Sequence, residues 1–230
     1  MEHPSNTSAR SAPAWLKAPM GPRVLPFLVF TLMTSLPTQL YPGDLFWNYA
    51  LKTLLVGGLL VWLRPWLPEM KWAVSPEALG VGLGVAVLWV FLDARMNTHP
   101  KPEDVWNPVA FFKEAPWIGW GLVAIRVLGR SIVVPMVEEV FYRSFIYRLF
   151  IDPRFTEISL NTYKPVAFLG GSLLFGLAHG SLWLPGILCG LAYQFLTLRR
   201  NRIGDAMTAH AITNLLISLW TLWRGEWRFT

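Results

Sequence analysis

The sequence has few charged residues and a single cysteine. Charged side chains make up 15% of its 230 residues, whereas a typical soluble domain has about 25%. Hydrophobic residues account for 53%, and the mean hydropathy is +0.40. Cys189 alone can form neither an intramolecular disulfide nor a cysteine-based zinc site. These shortages exclude a disulfide-stapled secreted domain and disfavour an ordinary soluble one.

Basic residues outnumber acidic ones, but their positions do not indicate nucleic acid. The formal net charge is +6, and most Lys and Arg residues flank apolar runs, where anionic lipid headgroups are the natural partner. Many of the 13 tryptophans lie near the ends of the same runs, as amphipathic rings do at the headgroup level. We therefore expect a lipid bilayer, and no nucleic acid, among the partners of this chain.

Long apolar runs predict an all-α, polytopic membrane helix bundle. A span needs about 20 apolar residues, and the pattern indicates seven or eight transmembrane helices. The runs occupy residues 24–40, 45–63, 78–92, 118–150, 165–181, 184–198 and 205–222. The run 118–150 is too long for one ordinary span. Pro135 is expected to divide or kink it, because proline lacks the backbone donor.

The regions outside these runs predict the domain organisation. Residues 1–22 are polar and rich in proline and serine, so we expect a disordered tail followed by one membrane-embedded domain over 23–230. Residues 93–116 are predicted to form a polar connection. Basic residues precede the first run and follow the run 184–198, and both groups favour the cytoplasmic side. Both can lie there only if an even number of spans separates them.

Several glycines in these runs predict close contacts between helices. Gly186 and Gly190 form a small-xxx-small pattern, which lets two backbones approach each other in a membrane. Gly80, Gly82 and Gly84 are expected to act in the same way, because no strand precedes them to make a phosphate-binding loop.

Glu138 and Glu139 are adjacent carboxylates within the apolar run 118–150. On insertion scales a charged residue at a helix centre costs roughly 2.5–3.5 kcal/mol, so each needs a partner or a polar cavity. Arg143 lies four residues after Glu139 and can pair with it, whereas Glu138 is rotated by about 100°. Near a helix start the dipole favours the ionised form of Glu138 and burial favours the neutral form, which suits a general base. A purely structural ion network is the alternative.

Three polar residues interrupt the later apolar runs. His179 shares a predicted helix face with Phe175, and small neighbours leave room there for a cavity. His210 and Asn214 are four residues apart, so both project from one face and could donate hydrogen bonds to an oxyanion. Either group alone could instead link two helices. If the groups converge, Glu138 and His179 would activate water, and His210 and Asn214 would stabilise a tetrahedral intermediate.

Taken in order, these motifs resemble those of the CAAX protease and bacteriocin-processing (CPBP, or Abi) family of membrane proteins. That family's pattern is Glu-Glu-xxx-Arg, then Phe-xxx-His, then His-xxx-Asn/Asp. The matching segments are Glu138-Glu139-Val140-Phe141-Tyr142-Arg143, Phe175-Gly176-Leu177-Ala178-His179 and His210-Ala211-Ile212-Thr213-Asn214. The resemblance covers about residues 130–222. Residues 173–180 and 222–227 are similar to the bacterial subgroup of the family that is found with exosortase systems.

The resemblance implies an intramembrane, metal-independent glutamate endopeptidase without a cofactor. By motif position, six residues receive roles: Glu138 as principal base, His179 as its helper, His210 and Asn214 as the oxyanion site, and Glu139 and Arg143 as support. The expected partner is a membrane-associated peptide or protein substrate, and the expected location is a bacterial inner (plasma) membrane. Two other functions stay open. One is a zinc metalloprotease, although a His-Glu-x-x-His motif is absent; the other is a non-catalytic membrane partner or transporter.

Overall fold

A computed structural model describes residues 13–36, 40–96 and 105–227 of the chain. Within these residues the protein is helical and contains no β-strand, so the predicted all-α class is confirmed. The helices are α1 (Ala14–Lys17), α2 (Met20–Thr34), α3 (Asp44–Leu63), α4 (Pro76–Met96), α5 (Pro108–Phe111), α6 (Pro116–Leu149), α7 (Pro165–Leu177), α8 (Trp183–Arg200) and α9 (Gly204–Arg224).

Four helical segments of the described chain are long and apolar enough to cross a membrane. They are Asp44–Trp66, Pro76–Met96, Pro116–Leu149 and Gly180–Arg200. Helices α2 and α7 are shorter but also apolar. Large hydrophobic side chains such as Leu54 and Val61 point outward, with 67% and 72% of their surface exposed, as expected for helices surrounded by lipid.

One end of the bundle carries the basic connections, and we call it the basic end. Arg23 in α2 reaches Glu69 after α3 at 2.7 Å, and Arg200 at the end of α8 reaches Glu77 at the start of α4 at 3.0 Å. Asn201, in the turn after α8, accepts hydrogen bonds from the connection after α6. The two basic segments that the sequence assigns to the cytoplasmic side therefore lie at the same end.

Aromatic side chains occupy the opposite end of the bundle. Phe46 near the start of α3 packs edge-to-face on Trp106, with ring centroids 5.3 Å apart, and it also contacts Phe111 of α5. Leu222 and Trp227, from the end of the described chain, pack against the same cluster. The two ends thus differ in chemistry, one basic and one aromatic.

The long apolar run forms one continuous helix and is not divided at Pro135. Helix α6 contains two π-helical segments, Gly129–Val133 and Val140–Ile146. The first lies directly before the turn that contains Pro135, where a widened turn accommodates a residue without a backbone donor. In the described chain, the longer helices between the two basic segments are α2, α3, α4, α6, α7 and α8. Their number is even, which removes the conflict raised by the positions of the basic residues.

Some helix boundaries differ from the predicted ones. Residues 1–12 of the expected disordered tail lie outside the described residues, but α1 and the start of α2 make much of 13–22 helical. Helix α4 continues to Met96, beyond the expected start of the polar connection, with Asp93 buried at 3% exposure. Helix α7 ends at Leu177, so the expected helix over 165–181 stops early.

Glycines bring α7 and α8 into close contact. A Cβ atom at Gly176 would collide with the Ile187 side chain, and one at Gly190 would lie 3.0 Å from the Ser172 Cα atom. At Gly186 it would lie 2.9 Å from the Gly176 Cα atom. The expected small-residue contact at Gly186 and Gly190 therefore forms.

Only one of the three neighbouring glycines of α4 lies at a tight contact. A Cβ atom at Gly82 would lie 2.7 Å from the backbone oxygen of Ala209 in α9, whereas Gly80 and Gly84 face open space. The expectation of close packing thus holds for Gly82 and is wrong for the other two. They point away from the neighbouring helices.

We predict that Gly176→Ala destabilises the protein by about 1–3 kcal/mol, because the added methyl group overfills the contact between α7 and α8. The matched change Gly84→Ala meets no atom within 4 Å and should be neutral or stabilising by up to about 1 kcal/mol, since alanine favours a helix. Unfolding of both variants in the same detergent measures the difference. Equal stability of the two variants would contradict the packing described.

Candidate active site

Four of the predicted site residues line one cavity of about 250 Å³. Glu138 reaches it from α6, His179 from the turn after α7, and His210 and Asn214 from α9. Its wall also includes Tyr49, near the start of α3. The cavity therefore extends from the middle of the bundle toward the aromatic end, away from the basic end.

Glu139 lies behind the cavity wall and is fully buried. Its Oε2 atom lies 3.0 Å from Arg143 Nε, an ion pair without the alignment of a hydrogen bond. Its Oε1 atom lies 2.9 Å from His210 Nδ1. An ionised carboxylate can only accept, so Nδ1 of His210 carries the proton and donates it. The contact with Arg143 was expected from the four-residue spacing, whereas the contact with His210 was not.

Glu138 is the carboxylate that remains available to the cavity. Its Oε2 atom lies 3.9 Å from His210 Nε2, beyond hydrogen-bond distance. That oxygen is buried and has no hydrogen-bond partner among the described protein atoms. Within the described chain, His210 is the histidine that comes within 4 Å of a Glu138 carboxylate oxygen. The predicted pairing of Glu138 with His179 stays a prediction.

His179 lies in the turn beyond α7 and not on its helical face, because the helix ends at Leu177. Its Nδ1 atom lies 2.7 Å from the backbone oxygen of Phe175. A carbonyl oxygen only accepts, so Nδ1 donates, and Nε2 of the neutral ring can accept a proton. The rings of Phe175 and Trp89 hold the imidazole, with centroids at 4.8 and 5.5 Å.

Asn214 is fixed by one hydrogen bond and keeps a second N–H bond that can donate into the cavity. Its Nδ2 atom donates to the backbone oxygen of Arg130 at 2.9 Å. The amide group has two N–H bonds, so one remains after this contact. His210 and Asn214 therefore lie on one face of α9 as predicted. Each also makes a hydrogen bond to α6, His210 to Glu139 and Asn214 to the backbone of Arg130.

Tyr193 of α8 holds the His210 ring, a contact that sequence reasoning missed. The two rings stack with centroids 5.1 Å apart and an angle of 23° between their planes. The Tyr193 hydroxyl donates to Thr213 at 2.8 Å, and the Thr213 hydroxyl lies 2.9 Å from the backbone oxygen of Gly82. Helix α8 thereby fixes the plane of the His210 imidazole.

Arg126 and Arg130 also line the cavity and were missed. They are four residues apart in an apolar run, the same signal that singled out the glutamates. The Arg126 guanidinium lies between two aromatic rings, 4.4 Å from the centroid of Tyr49 and 4.2 Å from that of Trp106. The cavity that contains Glu138 is therefore also lined by two basic side chains.

Residues 120–216 match the family model described as type II CAAX prenyl endopeptidase Rce1-like. This segment belongs to the CAAX protease family. The matching CAAX protease segment runs from α6 into α9 and contains all six of the predicted site residues. No curated protein and no solved structure matches the chain. The finer resemblance to the exosortase-associated subgroup stays a prediction.

Among the residues that the structure describes, no three His, Cys, Asp or Glu side chains are grouped so that they could hold a metal ion. Cys189 is buried and lines the cavity, where it is one apolar wall residue among several.

We predict that Arg143→Leu destabilises the CAAX protease segment by about 3–5 kcal/mol, because it leaves the buried Glu139 charge without its cationic partner. The control is Arg154→Leu, which removes an exposed guanidinium with contacts to Asp152 and Glu157 at 3.4 and 3.5 Å. That change should cost about 1 kcal/mol or less. Denaturant unfolding in detergent compares the two, and similar losses would show that Glu139 does not depend on Arg143.

Proposed function

We propose that this CAAX protease family member is an intramembrane endopeptidase that uses Glu138 as its base and requires no metal. One observation carries the proposal: Glu138, His179, His210 and Asn214 reach the same cavity from three parts of the chain. A carboxylate, two imidazoles and an amide are the groups that water activation and oxyanion stabilisation need.

In the proposed first step, Glu138 removes a proton from a water molecule as the water oxygen attacks the substrate carbonyl carbon. The unpartnered Oε2 atom of Glu138 is the acceptor. His179 assists through Nε2, because its Nδ1 is committed to the Phe175 carbonyl. The carbonyl π bond opens and leaves a negative charge on the carbonyl oxygen.

Asn214 and His210 would stabilise this oxyanion. Asn214 has one N–H left after its bond to Arg130. His210 uses Nδ1 for Glu139, so it can donate to the oxyanion only through Nε2, and only when both ring nitrogens carry protons. The proton held by Glu138 then passes to the amine nitrogen as the C–N bond breaks, which restores the carboxylate.

Glu139 is a positioning residue in this scheme. It fixes the Nδ1 side of His210 at 2.9 Å, while Tyr193 fixes the plane of the ring. The Nε2 atom is thereby directed toward Glu138. Two adjacent glutamates thus take different roles, one acting on water and the other acting through a histidine.

We predict that Glu138→Gln lowers kcat/KM for peptide cleavage by about 10²–10⁴-fold, because an amide cannot accept the proton. Glu77→Gln, at the basic end and outside the cavity, is the matched control and should keep wild-type activity. A quenched-peptide library with purified protein in detergent gives the rates. Wild-type cleavage by both Glu138→Gln and His179→Ala would reject the mechanism.

The same assay distinguishes the proposed protease from a zinc metalloprotease and from a non-catalytic membrane protein. Activity should persist after dialysis against a chelator, whereas stoichiometric zinc that is lost together with activity would favour a metalloprotease. If the wild-type protein cleaves no peptide, and a co-purifying protein partner is lost when the motif residues are changed, the chain is a non-catalytic membrane component.

We also propose that seven helices are embedded in a bacterial inner membrane, with the basic end in the cytoplasm. The helices are α2, α3, α4, α6, α7, α8 and α9. Lys and Arg residues concentrate in the connections at the basic end, which favours the cytoplasmic side. Helix α7 has 13 residues and a length of about 20 Å, so its end and His179 stay inside the bilayer. The irregular backbone there lines the cavity, as a membrane interior requires.

This orientation predicts the labelling of two engineered cysteines. A membrane-impermeant maleimide should label Lys113→Cys, near the aromatic end, in intact cells and Arg154→Cys, near the basic end, only after permeabilisation. The native Cys189 is 2% exposed and gives little background. The reverse pattern would overturn the orientation, and it would leave the catalytic proposal intact.

A further inference from the structure

A second cavity, of about 490 Å³, lies at the basic end and is separate from the active site. Its lining includes three basic side chains, Lys17, Arg23 and Arg148, and one acidic side chain, Glu69. Among the residues that the structure describes, these are the charged lining groups, and together they carry a formal net charge of +2. A cavity with this charge fits an anion.

Both arginines of this basic pocket are held rigidly. Arg23 donates to the two oxygens of Glu69 at 2.7 and 3.0 Å and to a backbone carbonyl at 2.6 Å. Arg148 donates to the backbone oxygen of Ser144 at 2.6 Å, to its hydroxyl at 2.7 Å and to the carbonyl of Ile158 at 3.2 Å. The Ser144 hydroxyl in turn donates to Glu69.

The two guanidinium groups keep donors beyond this network. Each guanidinium has five N–H bonds, and the described protein acceptors engage three in Arg23 and three in Arg148. About two N–H bonds on each arginine are therefore left for an acceptor in the pocket. Planar, preorganised arginine donors match the oxygens of a phosphate group.

The position of the pocket corresponds to the level of the lipid headgroups. Two of the candidate spans end beside it, at Trp66 and at Leu149, and Trp66 and Arg148 both line it. Trp62 lies between Trp15 and Trp66, with centroid distances of 6.2 and 6.1 Å. Tryptophan rings gather where the bilayer meets water, so the pocket opens at that boundary.

We propose that the basic pocket binds the phosphodiester headgroup of an anionic phospholipid. The charge, the spare arginine donors and the tryptophan cluster point to this occupant, and basic pockets between transmembrane helices bind such headgroups on the cytoplasmic side. A free phosphate ion shares the chemistry of the headgroup but gains nothing from the adjacent apolar surface, where Trp62 packs against Trp66 and is 52% exposed. The site does not depend on the proposed proteolysis.

The bound lipid would join separate parts of the chain. Lys17 ends α1, Arg23 lies in the first turns of α2, and Arg148 lies in the last turn of α6. A headgroup between them would reduce the electrostatic repulsion among these three cations. The lipid is therefore a structural ligand of the basic end.

Thr156 lines the pocket and is exposed, and it takes no part in the arginine hydrogen bonds described above. Changing it therefore tests the pocket and leaves those hydrogen bonds in place. Thr156→Glu adds a negative charge, and Thr156→Gln is its neutral control. Lys17→Gln removes one charge from the pocket, and Lys164→Gln removes one from the same end outside it. Native mass spectrometry of the full chain in detergent gives dissociation constants for phosphatidylglycerol and phosphatidylcholine, with inorganic phosphate as competitor.

Phosphatidylglycerol should bind the wild-type protein more tightly than phosphatidylcholine does. Thr156→Glu and Lys17→Gln should each weaken its binding about fivefold, the equivalent of about 1 kcal/mol per charge, while both control variants bind as the wild type. Unfolding temperatures in lipid-free detergent should match among all four variants. Equal binding of the two lipids, wild-type affinity in Thr156→Glu, or displacement by inorganic phosphate at concentrations equal to those of the lipid would overturn the proposal.

Discussion

The buried carboxylate of Glu139 is the group on which the arrangement of the active site depends. An unpaired charge in an apolar bundle would cost several kcal/mol, so its two oxygens face Arg143 and His210. Each partner is held by another helix: the Arg143 guanidinium lies 4.4 Å over the Phe175 ring of α7, and His210 stacks on Tyr193 of α8. The need to compensate one charge thereby ties α6, α7, α8 and α9 together.

The same constraint separates the roles of the two adjacent glutamates. Successive residues on a helix point about 100° apart, so Glu139 faces the protein interior when Glu138 faces the cavity. Glu139 has Arg143 and His210 within 3.0 Å of its two oxygens. The Oε2 atom of Glu138 comes no closer than 3.9 Å to His210, and Glu138 lines the cavity. A carboxylate enclosed by an arginine and a histidine can orient a neighbour, and one that faces a cavity can take a proton from water.

Much of this arrangement could be predicted from the sequence, but the pairing of residues between helices could not. Apolar runs locate the helices, and the four-residue spacing of Glu139 and Arg143 predicts their contact, because both are properties of one segment. The bond between Glu139 and His210 depends on how α6 and α9 are rotated against each other. Membrane helices are apolar on most faces, so the hydrophobic periodicity of their sequence gives little information about that rotation. The place of His179 beyond α7 was missed for a related reason, since its flanking residues suit a helix and a turn alike.

Helix α6 connects the active site to the basic end, and its second π-helical segment lies between them. Glu139 precedes the segment Val140–Ile146, Ser144 lies within it, and Arg148 follows it. A π turn adds one residue to the helix, which rotates everything that follows by about 100° relative to a regular α-helix. The π segment therefore changes the direction in which Arg148 points relative to Glu139. In this geometry one helix contributes Glu139 and Arg143 to the active-site network and Ser144 and Arg148 to the network at the basic end.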